Sequence, residues 1–125
     1  PGDEVLTNVI AKLWTFVREH REHNRLLLRH VLDQGSLPSA ITEQWSDALF
    51  EKAVGFLRIF RPDWSVQRCR MLISMLQHTL VRWALESPAD LAQALGNPED
   101  PDAEIVAFFE DLLRTQLGLT ARVAP

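Results

Sequence analysis

Hydrophobic positions recur along this chain at steps of three and four, the spacing of helices buried on one side. The longest uninterrupted run is Asp63–Ser87, where Val66, Cys69, Leu72, Ile73, Leu76, Leu80, Trp83 and Ala84 share one stripe. At about 3.6 residues per turn that stripe takes about a third of the circumference. Met71, Met75, His78 and Arg82 gather on another side, with Val81 and Leu85 between. A helix that is apolar on two flanks is enclosed from more than one direction, so the pattern predicts the central helix of a bundle.

The remaining segments read as helices and breaks around it. Val5, Leu6, Val9, Ile10, Leu13, Trp14, Phe16 and Val17 form the apolar half of a helix whose other side carries Thr7, Ala11, Thr15 and Arg18. A polar stretch, Glu19–Asn24, interrupts it before Leu26, Leu27, Leu28, Val31 and Leu32. This predicts either two helices meeting near residues 20–24 or one long bent helix. Gly35 suits a left-handed cap, and Ser36–Ser39 with Pro38 reads as a loop. Ile41–Phe60 is a second amphipathic helix, with Trp45, Leu49, Ala53, Phe56, Leu57 and Phe60 inward and Asp47, Glu51 and Arg58 outward. Arg61-Pro62-Asp63 breaks it, and Asp63 or Ser65 caps the central helix. Ser87-Pro88-Ala89-Asp90 starts a short helix that stops at Gly96. Asp100-Pro101 starts the last one, which runs to about Leu117 and ends at Gly118. No segment alternates as a strand would. The expected fold is all-α, an antiparallel bundle of about six helices in a single domain spanning residues 1–125.

Composition narrows the function classes. The chain has 125 residues, 46% hydrophobic and 24% charged, in the range of globular domains. Its net charge of −4 argues against a direct grip on nucleic acid, which calls for a basic face. One cysteine allows no internal disulfide, which suits a reducing, cytoplasmic setting. No apolar run reaches the length of a membrane span. The chain opens Pro1-Gly2 without Met, as expected of a processed chain or a piece of a longer one.

Candidate chemistry is sparse. Glu19, His20 and His23 could approach one metal ion from a helix, yet their ordinary reading is a solvated turn, with no complementary His or Cys cluster elsewhere. His30 and His78 lie beside apolar faces, where packing is the usual role. Cys69 on the strong stripe reads as a small buried hydrophobe. Arg18, Arg21, Arg25 and Arg29 are spaced as a basic helical run, which Glu19 and Glu22 partly neutralise. No phosphate loop, nucleophile elbow or H-E-x-x-H motif occurs, so no enzymatic activity and no cofactor is expected. What stands out is aromatic content, four Trp and six Phe. Trp14, Trp45, Phe56, Phe60, Trp64 and Trp83 come from different helices and fall on or beside inward faces. Ordinary core is one reading. A cavity lined by flat apolar groups is the other.

The run F-V-R-E-H-R-E-H-N-R-L-L-L-R-H-V-L-D-Q-G from Phe16 resembles the opening of the regulatory domain of TetR-type transcriptional repressors. The long helix from Val66, the piece from Pro88 to Leu95 and the closing D-A-E-I-V-A-F-F-E-D-L-L-R-T-Q-L-G-L resemble that domain's last elements in order. The likeness covers nearly the whole chain, although the domain has no invariant motif. It implies a ligand-sensing and dimerising domain whose DNA-reading helix-turn-helix precedes it and is not in this chain. It implies a repressor released by a small hydrophobic or aromatic effector. The expected pocket is lined by Leu13, Trp14, Phe56, Phe60, Cys69 and Ile73. A stand-alone helical module for protein–protein interaction, and more remotely a metal- or cofactor-holding bundle, are the alternatives.

The last helix carries an expectation of its own. Ile105, Val106, Phe108, Phe109, Leu112, Leu113, Leu117 and Leu119 cover about half of its circumference, more than one packed face needs. The surplus, with Met71, Met75, His78 and Arg82 of the central helix, predicts a homodimer anchored by Phe108, Phe109, Leu112 and Leu113.

Overall fold

The computed structural model describes residues 2–36 and 47–119, and every regular element among them is an α-helix. In chain order they are α1 (Gly2–Glu19), α2 (Arg21–Gln34), α3 (Asp47–Phe60), α4 (Val66–Leu85), α5 (Pro88–Ala94) and α6 (Pro101–Leu117). The all-α bundle expected from periodicity is what forms. Residues 37–46, which include Trp45 and the expected Pro38 loop, lie outside the described residues. No described helix is long and apolar enough to cross a membrane.

The helix ends follow side-chain chemistry. Ser65, Ser87 and Asp100 each accept a hydrogen bond from the backbone amide three residues on, at 3.1, 3.2 and 3.2 Å. Each satisfies a first-turn N–H that has no partner inside the helix. Of the two residues able to cap α4, Ser65 does so, because Asp63 is held by Arg61. Gly35 and Gly118 close α2 and α6 with φ of 79° and 72°, a region open to glycine at no steric cost. Between α1 and α2 only His20 leaves the helix. The His20 amide still donates to Phe16 O and the Asn24 amide to His20 O, so the break is a one-residue irregularity rather than a loop.

Helix α4 packs against α1, α2 and α3, the central place expected of it, but its second flank of Met71, Met75, His78 and Arg82 is left exposed. Helix α6 runs antiparallel to α1, with Thr7 bonded to Glu110 at one level and Trp14 to Asp102 at another. It is also antiparallel to α4: Trp83 touches Phe108 and Phe109, while Cys69 shares a cluster with Leu117. The core has two parts. One gathers Leu6, Ile10, Trp14 and Val17 with Leu80, Ala84, Leu91, Ile105, Phe109 and Leu113. The other gathers Val54, Leu57, Trp64, Cys69 and Leu117. Phe56, Leu72 and Leu119 border both.

Helix α1 departs from the simple reading of its pattern. Leu6, Ile10, Trp14 and Val17 are buried, but Val5, Val9, Leu13 and Phe16 are exposed. Thr7 and Arg18, read as the wet side, reach inward to Glu110 and to the end of α4. Two neighbours, α6 and α4, lie on that side and turn the helix toward it. In α2 no residue is buried, and Leu26 and Leu32 are exposed.

Candidate functional site

Phe56 and Phe60 are one turn apart on α3 and stack edge to face, with ring centroids 5.3 Å apart. Cys69 and Ile73 of α4 belong to the same cluster, Cys69 with no exposure at all. Four of the six residues expected to line a pocket are therefore brought together on the α3–α4 seam. Trp14 is not among them: it is buried in the other core cluster, with its indole Nε1 donating to Asp102 Oδ1 at 2.7 Å. Leu13 is 40% exposed on the outer side of α1. The expected set is thus split, because adjacent positions on a helix point about 100° apart and burial of Trp14 turns Leu13 outward.

The seam ends in a basic corner. The Trp64 ring lies under the guanidinium groups of Arg61 and Arg68, at 5.0 and 4.7 Å. Arg61 also donates to Asp63 and to the Gln116 carbonyl near the end of α6. The Asp63 hydrogen bond raises the Arg61 pKa, and the same bond lowers that of Asp63. Arg70 sits over Phe50, 4.6 Å from its centroid.

The surfaces expected to pair two copies divide cleanly. Met71, Met75, His78 and Arg82 are all exposed on α4, Met71 by 67% and Met75 by 49%. On α6, Phe108 is 48% exposed and Leu112 partly so. Phe109 and Leu113 are not on the surface; they are 2% and 5% exposed in the chain's own core. Helix α6 is flanked by both α1 and α4, and the two neighbours absorb most of its wide apolar arc. Phe108 remains outside, stacked on Trp83 at 6.1 Å.

Sequence reading overlooked a buried ionic group. Glu110 and Arg114 are 1% and 4% exposed, joined by Arg114 Nε donating to Glu110 Oε1 at 3.1 Å. Thr7 donates to the same oxygen at 2.6 Å. The signal was present, since Glu110 stands three and seven residues before Leu113 and Leu117 and so falls within the apolar arc. The basic run also divides. Arg18 and Arg21 donate to the last carbonyls of α4, whereas Arg25 and Arg29 are exposed. His20, His23 and His30 are exposed, and among the described residues no group of three His, Cys, Asp or Glu is placed to hold a metal ion.

These features define an all-α bundle with an aromatic seam and an apolar outer face. No known family, curated protein or solved structure matches the chain.

Proposed function

We propose that the chain is the effector-binding and dimerisation domain of a TetR-like transcriptional regulator, acting as a repressor released by a small hydrophobic or aromatic ligand. The observation that carries this reading is the outer face of the two long C-terminal helices. Met71 and Met75 of α4 and Phe108 of α6 remain exposed, large apolar side chains of the sort that a second copy covers. The aromatic seam at Phe56, Phe60, Cys69 and Ile73 is where an effector would enter, by parting α3 from α4. Helix α1 would carry the response. It leads from a DNA-reading domain ahead of it, and it is tied to α4 and α6 by Arg18, Thr7 and Trp14. A ligand that favours one arrangement of the bundle then shifts the spacing of two reading heads.

Light scattering tests the carrying observation directly: a dimer mass is expected at micromolar concentration, and a monomer mass would overturn the reading. The full-length sequence tests the rest, through a helix-turn-helix ahead of residue 1.

A second reading draws on Val5, Val9, Leu13 and Phe16, which make an exposed apolar stripe on α1. It is a helical interaction module whose α1 lies in a partner's groove. Charged substitutions at Leu13 and Phe16 would abolish partner binding under this reading, while leaving self-association intact.

A further inference from the structure

A cleft lies where the end of α4, the turn after α5 and the start of α6 meet. Its volume is about 200 Å³, and it is lined by Trp83, Leu95, Pro98, Glu104, Ile105 and Phe108. It stands apart from the aromatic seam, which takes Cys69 and Ile73 from the other half of α4.

The fold fixes its walls. The Trp83 and Phe108 rings lie nearly parallel, at 17° with centroids 6.1 Å apart. The buried Phe109 ring touches both, at 5.3 and 5.6 Å. The turn after α5 supplies Leu95 and Pro98. Between them Gly96 and Asn97 are left-handed, with φ of 81° and 55°, and asparagine is one of the few other residues that enter this region readily. Their amides donate to Gln93 O at 3.1 Å and to Ala92 O at 2.7 Å, which holds the turn closed. The cleft is therefore formed before any ligand arrives.

Its chemistry is one-sided. Among the six lining side chains only Glu104 carries charge or accepts a hydrogen bond. Glu104 is exposed, and among the described residues no side chain pairs with it. Nearby acids are committed elsewhere: Asp100 caps α6, and Asp102 accepts from Trp14. No Lys or Arg occurs between Arg82 and Arg114, and Arg82 is engaged by Glu86 at 3.1 Å.

Aromatic rings attract cations through the negative face of the π system, and a carboxylate adds Coulomb attraction. Hydrogen-bond capacity then selects the kind of cation. A primary ammonium brings three N–H donors, and these side chains offer it one carboxylate. A quaternary ammonium brings no donors, so it leaves none unsatisfied beside Leu95, Pro98, Ile105 and the rings.

We propose that this cleft binds a small quaternary ammonium compound, its cationic head against Trp83 and Phe108 and Glu104 as the counter-charge. The site is complete within one chain and does not depend on the function proposed above. Phe108 also belongs to the face assigned there to a second copy, so the test leaves Phe108 intact.

Choline is the probe. Its neutral counterpart is the carbon analogue in which a tert-butyl group replaces the trimethylammonium head. The reporter is the indole N–H signal of Trp83 by NMR, assigned through its loss in Trp83→Phe. At constant ionic strength choline should shift that signal saturably, with an affinity about tenfold above that of the neutral analogue. Glu104→Gln should weaken choline about three- to fivefold at an unchanged melting temperature. Asp111→Asn, about two turns further along α6, should not. Equal affinity for the neutral analogue, parent-like choline binding by Glu104→Gln, or no saturable shift at tens of millimolar choline overturns the proposal. A monomer that binds choline upholds this site and overturns the self-association above; a dimer that ignores choline does the reverse.

Discussion

Arg21 holds the carbonyl oxygen of Leu85 with two donors, Nε at 3.3 Å and Nη2 at 3.1 Å, fastening the start of α2 to the end of α4. Arg18 does the same from α1, its Nη1 donating to Ala84 O at 3.2 Å and to Glu86 O at 3.3 Å. The last carbonyls of a helix have no partner within it and carry partial negative charge, so two guanidinium groups suit them. Arg21→Ala should lower unfolding free energy by about 1–2 kcal/mol, seen as a reduced urea midpoint at unchanged slope. Arg21→Lys should recover only part of it, having no planar fork. Arg25→Ala, on the exposed side, should change nothing measurable.

The Glu110–Arg114 pair should behave asymmetrically. Removing one partner leaves a buried charge without its counter-ion, so Arg114→Met alone should cost about 3–5 kcal/mol. Glu110→Leu with Arg114→Met removes both charges and should recover most of that loss. Chemical denaturation of the two singles and the double reads the coupling. If the double were as unstable as the singles, the remaining partners of the group would matter more than the pair.

Adjacent phenylalanines on α6 should separate folding from assembly. Phe109→Ala empties a fully enclosed site and should destabilise by about 3–5 kcal/mol. Phe108→Ala should leave the melting temperature within a few degrees and instead reduce the dimer fraction in light scattering.

Acid should weaken one corner in a predictable direction. The Arg61 hydrogen bond lowers the pKa of Asp63 from the usual 3.8. A carboxylate with a lowered folded-state pKa stabilises the fold above its unfolded value and loses that contribution as pH falls through the folded one. Asp63→Asn should therefore flatten stability against pH below about 4, with little effect at neutral pH for so exposed a pair. Arg61→Ala should be the more harmful change at pH 7. It also removes the bond to Gln116 O and the stacking on Trp64.

Duplex DNA should not be gripped by this domain alone. With a net charge of −4 and thirty-one consecutive positions, 83–113, free of Lys and Arg, phosphate contacts are opposed. A gel shift at physiological salt should show no retention; tight, salt-sensitive retention would contradict this.

Much of the fold was determined by the sequence alone. Spacing defined the helices, Ser65, Ser87 and Asp100 marked their starts, and Gly35 and Gly118 their ends, because those rules act within one turn of chain. The central place of α4 was legible as well, although its second flank, Met71, Met75, His78 and Arg82, stays exposed. The tertiary structure alone decided what fills each flank. Thr7 and Arg18 are polar by type, yet they face inward because Glu110 and the α4 carbonyls wait there. Phe109 and Leu113 belong to the core and Phe108 to the surface because α1 and α4 both pack on α6. Periodicity measures how wide an apolar arc is; how many neighbours cover it depends on residues far away in the chain.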